Sequence, residues 1–176
     1  MEPTSRKYLF FDLDGTLTDS MPGIARAVQY ALRRFGIDVQ DLATLKPFLG
    51  PPLRDSFMEF YGMSPEEADR AVAVSREYFV PRGMFENELY PGIPELLAAT
   101  AAAGRVNVIA TSKPQPFAER IAAHFGIDRH FRLISGSTFD GRRKTKADVI
   151  RHALSALGIA PGEAVMIGDR RHDVEG

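Results

Sequence analysis

Two carboxylates, Asp12 and Asp14, stand two residues apart in Phe10-Phe11-Asp12-Leu13-Asp14-Gly15-Thr16, directly after a short apolar segment. Tyr8 to Phe11 has the length and β-propensity of a buried strand, so the pair falls where that strand ends, with a glycine to turn the chain. Open α/β sheets take their ligands outside the carboxyl ends of their strands. Two carboxylates fixed there repel each other, and a hard cation with oxygen ligands relieves them. Two solvated aspartates in a turn are the competing reading of these residues alone.

Other groups able to do chemistry recur at similar places. Thr111-Ser112-Lys113-Pro114 follows the apolar run Val106–Ala110, and Gly168-Asp169-Arg170-Arg171-His172-Asp173 follows Ala164–Ile167. Thr145-Lys146-Ala147-Asp148 has the form of a capping box, which puts Lys146 in a first helical turn. Lys146 precedes Val149 and Ile150 by three and four residues and so points inward; Lys144 lies outside the helix and is the weaker candidate. Thr111 and Ser112 also read as helix caps, and Asp169 and Asp173 as a solvated helix start. A lysine in a first turn opposes the helix dipole, which favours a functional role for Lys146.

The elements that must position these groups alternate. After the first strand, apolar residues at helical spacing (Ile24, Ala27, Val28, Ala31, Leu32, Phe35) predict a helix closed by Gly36. Gly50-Pro51-Pro52 leads into a second helix with Leu53, Phe57, Phe60 and Tyr61, and Ser64-Pro65-Glu66-Glu67 opens a third that runs to about Val80. No strand pattern occurs between residues 20 and 90. From Tyr90 onward, helices alternate with strands at Val106–Ala110, Phe131–Ile134 and Ala164–Ile167. The fold class expected is α/β: a Rossmann-like parallel sheet over residues 1–19 and 91–176, with an α-helical cap inserted over 20–90. The carboxyl ends of such strands share one edge, so Asp12, Asp14, Thr111, Ser112, Asp169 and Asp173 converge there.

Acidic and basic residues nearly cancel, 23 against 22, which speaks against nucleic acid or an anionic membrane as partner. There is no cysteine, excluding disulfides, thiolate metal sites and a cysteine nucleophile. No apolar run approaches membrane-spanning length and Met1–Lys7 lacks a signal-peptide core, so a cytoplasmic location is the default expectation. His124 sits on an apolar helical face with Phe117, Ile121 and Phe125 and reads as a core or boundary residue.

Asp12-Leu13-Asp14-Gly15-Thr16, a strand ending in Thr111, then Lys146, then Gly168-Asp169 through Asp173 closely resemble the haloacid dehalogenase superfamily, and the helical insert resembles its small cap. Asp19-Ser20-Met21-Pro22-Gly23-Ile24, Ala110-Thr111-Ser112-Lys113-Pro114 and Ile167-Gly168-Asp169-Arg170 are most similar to its phosphoglycolate phosphatase-like branch. Relatives continue past the last helix with a further strand and helix, so the chain reads as shortened at its C-terminus. The resemblance implies a Mg²⁺-dependent phosphomonoesterase that works through an aspartyl-phosphate on a small phosphorylated metabolite. Asp12 is then the nucleophile and Asp14 the general acid and later the base. Mg²⁺ is held by the Asp12 side chain, the Asp14 carbonyl and Asp169, and Asp173 holds a metal-bound water or orients Lys146. Thr111 donates to a phosphoryl oxygen with backbone N–H groups near Ser112 and Leu13, and Lys146 pairs with Asp12 and the phosphoryl group.

Substrate choice is expected from the loop Lys46 to Arg54, which includes Gly50 and combines a rigid, proline-containing backbone with cationic and aromatic groups; Arg54 is the first choice for a substrate carboxylate or second phosphate, and a helix-surface salt bridge is its alternative. Lys113 is expected beside the phosphate. A 5′-nucleotidase, a sugar-phosphate phosphatase, a β-phosphoglucomutase-type mutase and a catalytically silent binding protein remain open, as do monomer and homodimer.

Overall fold

The structure, a computed structural model, describes residues 6–175. In chain order, β1 (Tyr8–Phe11) and the two-residue β2 (Thr18–Asp19) precede α1 (Met21–Arg34). Then come a 3-10 segment at Leu42–Phe48, α2 (Leu53–Tyr61), α3 (Pro65–Phe79), a 3-10 turn at Gly83–Phe85 and the two-residue β3 (Glu88–Leu89). The remainder alternates: α4 (Ile93–Ala102), β4 (Val106–Pro114), α5 (Gln115–His124), β5 (Phe131–Ser137), α6 (Lys146–Leu157), β6 (Ala164–Ile167) and α7 (Arg171–Glu175). The chain divides into two compact units: the residues through Thr18 together with those from Leu89 onward, and Asp19–Glu88.

In the α/β unit the four longer strands form one parallel sheet in the order β5-β4-β1-β6. Crossovers between parallel strands need the intervening helices. Strand alternation sends Phe10, Val108 and Ala110 to one face, where they bury Val149 and Ala153 of α6. On the other face, buried Asn107 donates from Nδ2 to the Leu97 carbonyl of α4 at 3.3 Å. Phe11 and Phe131 meet edge to face with centroids 6.2 Å apart. β6 is an edge strand whose last residue, Ile167, is exposed.

The helical unit has its own apolar core. Val28 and Leu32 of α1, Leu45 and Phe48 of the 3-10 segment, Phe57 of α2, and Ala68 and Ala71 of α3 are all buried together. Phe48 is the hub, with its ring 5.1 Å from Phe57 and 5.4 Å from Phe60. Gly62 ends α2 in the left-handed conformation, and a complete Ser64–Glu67 capping box opens α3.

Three differences from the sequence expectations have physical reasons. β2 pairs with β3, and β3 falls within the stretch expected to be helical throughout; two residues are too few to carry a period-2 signal. β4 continues through Thr111 to Pro114 because β5 pairs with it across an irregularity, Ala110 with Ser135 and Pro114 with Ser137. His124 is exposed, near the end of α5, with its ring 5.1 Å from Phe125, rather than in the core. No helix among the described residues is long and apolar enough to cross a membrane.

Candidate active site

Asp12 prolongs β1 by one residue: its N–H donates to the Ile167 carbonyl of β6 at 2.9 Å. A tight loop follows. The Leu13 carbonyl accepts from Leu17 at 2.9 Å and Thr18 at 3.0 Å, buried Leu13 and Leu17 anchor the loop below, and Gly15 takes φ 84°. The loop turns the Leu13 N–H back onto Asp12 Oδ1 at 2.8 Å.

Lys146 reaches this carboxylate from α6. Thr145 Oγ1 accepts from the Asp148 N–H at 3.1 Å, and Asp148 accepts from the Thr145 N–H at 2.9 Å. This capping box fixes the first turn, and Lys146 is buried while Lys144 is exposed. Its Nζ lies 2.9 Å from Asp12 Oδ1 and 2.8 Å from Asp173 Oδ1, and donates to the Ala110 carbonyl at 3.1 Å. An ammonium has three donors, and here three oxygens surround it.

Thr111 sits inside β4, beside Asp12, and is 1 % exposed. α5 begins at Gln115 with Pro114 at its N-cap and no side-chain cap, so neither Thr111 nor Ser112 caps that helix. Thr111 hydrogen-bonds the Asp12 carboxylate and accepts from the Lys113 N–H at 3.2 Å. Burial pushes the Asp12 carboxyl above its ordinary value; Lys146, and then the Thr111 hydrogen bond, pull it back, while Asp14 adds to the upward push. Ser112 is exposed.

Lys113 is buried, with Nζ 3.0 Å from Asp14 Oδ2. The sequence alone places Lys113 beside a phosphate and gives no pairing with Asp14; the alternation of Thr111 and Lys113 on one strand shows only once β4 extends past Ala110. Arg170 was also unassigned: its Nε lies 3.1 Å from Asp169 Oδ2, and its N–H donates to Asp173 Oδ2 at 3.0 Å. Asp169 is exposed, and Asp173, in α7, is buried.

Asp12, Asp14, Thr111, Lys113, Lys146, Asp169 and Asp173 thus share the carboxyl edge of the sheet. Gly50 and Arg54 belong to the helical unit. Gly50 is exposed with φ 99°. Arg54 Nε is engaged by Asp69 Oδ1 at 2.8 Å across the α2–α3 packing. The guanidinium expected to take a substrate anion therefore already holds a carboxylate, as the surface-pair alternative has it.

The donors suit a hard divalent cation. Asp12, Asp169 and Asp173 each offer an oxygen within 4.8 Å of the others. Asp173 Oδ1 is buried and, beyond the Lys146 ammonium 2.8 Å away, has no directed hydrogen bond among the described residues. The glycines on either side leave room for these carboxylates: a Cβ at Gly15 would fall 2.5 Å from Asp169 Oδ2, and one at Gly168 would strike Asp173. All-oxygen, carboxylate-rich sets favour Mg²⁺ or a similar ion.

Comparison with known proteins identifies the family. Residues 9–176 match the haloacid dehalogenase-like hydrolase family. A 5′-nucleotidase of Pseudomonas aeruginosa is 51 % identical over 96 % of this chain and 76 % of its own length. The tyrosine-protein kinase PtkA of Mycobacterium tuberculosis is 44 % identical over 98 % of this chain, which spans only 58 % of that protein. A phosphoglycolate phosphatase of Yersinia pestis is 32 % identical over 93 % of this chain and 73 % of its own length. Among solved structures, a predicted phosphatase from Clostridium acetobutylicum superposes with a TM-score of 0.89 at 49 % identity, over 95 % of this chain and 77 % of that one. The chain belongs to the haloacid dehalogenase-like hydrolases, among the phosphatases of that family.

Proposed function

We propose that this protein is a Mg²⁺-dependent phosphomonoesterase working through an aspartyl-phosphate, with nucleoside 5′-monophosphates as its first substrate class. The observation that carries the reading is buried Lys146, placed between Asp12 and Asp173 with Thr111 beside them. Two buried carboxylates around one buried ammonium are costly as scaffolding and useful as a phosphoryl-transfer site.

Asp12 attacks phosphorus, forming a P–O bond as the ester P–O bond breaks. Asp14 gives its proton to the departing oxygen and later takes one from the water that hydrolyses the aspartyl-phosphate. Lys146 holds the Asp12 carboxylate and places its positive charge beside the attacking oxygen, and Thr111 lies next to it, so both are in position where phosphoryl charge develops. Asp12, Asp169 and Asp173 are the residues that would hold Mg²⁺, which when bound would neutralise charge as a dianion approaches several carboxylates.

The nucleotide preference rests on similarity: the relative named 5′-nucleotidase is 51 % identical, against 32 % for the phosphoglycolate phosphatase. Phosphate release from nucleoside monophosphates, phosphoglycolate and sugar phosphates, with and without EDTA, tests both parts. Metal-dependent release, greatest on a nucleotide and lost in Asp12→Asn, is expected. Greatest release on phosphoglycolate overturns the substrate class, and no release on any substrate overturns the enzyme.

A further inference from the structure

The buried charges include a second lysine that the steps above leave without a task. Lys113 Nζ lies 3.0 Å from Asp14 Oδ2, and the lysine side chain is 5 % exposed. The other oxygen, Asp14 Oδ1, is buried and has no hydrogen-bond partner among the described residues. One oxygen of this carboxylate is clamped and the other is bare. The Lys113 N–H also donates to Thr111 Oγ1 at 3.2 Å, so one stretch of β4 fixes both the hydroxyl beside Asp12 and the ammonium beside Asp14.

We propose that Lys113 is a positioning residue for Asp14: it holds Oδ2 so that Oδ1 carries the proton in both half-reactions. The inference rests on the assignment of Asp14 as acid and base in the proposed function. An aspartate carboxylate turns about a broad, two-fold torsion, so an unheld Asp14 presents either oxygen at a range of angles. Proton transfer needs the donor within hydrogen-bond reach of the reacting oxygen. The clamp removes that freedom before substrate arrives, and proton transfer keeps its geometry. In the first step the ester P–O bond breaks, the Asp12 O–P bond forms, and the proton on Asp14 Oδ1 passes to the leaving oxygen. In the second, water oxygen bonds to phosphorus, its proton passes to Oδ1, and the Asp12 O–P bond breaks. The cycle closes with no other reactant.

Leaving-group dependence separates this role from a phosphate-binding one. The wild-type chain, Lys113→Met and Lys113→Arg are compared in Mg²⁺ under single turnover on aryl phosphates from p-nitrophenyl to phenyl. p-Nitrophenolate leaves without a proton, whereas phenolate gains from one. Lys113→Met loses about 100-fold on phenyl phosphate and less than about threefold on p-nitrophenyl phosphate, with the half-saturating concentration unchanged. An equal loss on every leaving group, or a loss confined to half-saturation, overturns the proposal. Lys113→Met leaves a buried carboxylate without its counter-ion, so Lys113→Arg, which keeps the charge and moves it, is the second test. It is expected to give an intermediate leaving-group dependence at unchanged half-saturation. A wild-type dependence with weakened binding in the arginine variant makes Lys113 a phosphate ligand and overturns the positioning role. Failure of the underlying reading looks different: wild-type turnover is then absent, or survives Asp12→Asn.

Discussion

In the helical unit the buried polar side chains are small and neutral, Ser20, Ser56, Ser75 and Asn87, and ion pairs such as Arg54–Asp69 and Arg33–Asp38 lie toward solvent. In the α/β unit Asp12, Lys113, Lys146 and Asp173 are buried, within two linked clusters at one edge of the sheet. Each unit has a sufficient apolar core, built around Phe48 and Phe57 in one and around Phe10 and Val108 in the other. Burying paired charges gains a fold little over apolar side chains of similar volume. Under the proposed function the charges at the sheet edge serve chemistry, while the aromatic cluster of the other unit serves stability. The contrast can be broken from either side.

Lys146→Met should have the largest effect. It leaves Asp12 and Asp173 buried without their ammonium, and a loss of about 3–5 kcal/mol is expected in chemical denaturation. Turnover should fall together with stability, by at least about 100-fold in kcat. Phe57→Ala should cost a similar amount, about 3–5 kcal/mol, but through a cavity among Phe48, Leu45 and Ala68 rather than through charge. If Lys146→Met proves as stable as the wild type, the sheet-edge charges are not paired as described.

Gly15→Ala sharpens the comparison at the metal. The residue has φ 84°, and the new Cβ would fall 2.5 Å from Asp169 Oδ2. About 1–2 kcal/mol of backbone strain is expected. Displacing Asp169 should also weaken Mg²⁺ about tenfold in a titration calorimeter.

Smaller effects are expected from the cap of α6. Thr145→Ala should cost about 1 kcal/mol. The Thr145 N–H and hydroxyl hold the Asp148 carboxyl below its ordinary value. A depressed folded-state value stabilises fully above the unfolded value, about 3.9, and is lost as pH falls through the folded one. The stability gap between wild type and Asp148→Asn should therefore close on acidification below about pH 4. Smallest of all, Arg54→Ala should shift stability by less than about 1 kcal/mol, since its pair with Asp69 is solvent-screened.

The sequence carried much of this because it marks strand ends and helix starts with polar and turn-forming residues. Asp12, Asp169 and the Thr145 cap could be placed by local rules, and so could Lys146, whose position follows from counting to Val149. What local rules missed depends on partners distant in sequence. β4 runs past Thr111 because β5 holds it, and only that extension brings Lys113 to Asp14. The sequence leaves Arg54 open between a substrate anion and a surface pair, and its partner, Asp69, comes from α3. His124 lies near the end of α5, where helical periodicity no longer decides burial. β2 and β3 are too short to be read at all.

Transfer of the phosphoryl group to a carboxylate oxygen of Asp12, the central step of the proposed reaction, can be observed directly. Enzyme turning over p-nitrophenyl phosphate in Mg²⁺ is quenched in acid, digested and mapped by mass spectrometry. One phosphoryl group on the peptide containing Asp12 is predicted, absent in Asp12→Asn and accumulating in Asp14→Asn, which lacks the base for its release. A phosphoryl group found on another residue, or turnover with none on Asp12 in either form, would contradict the account.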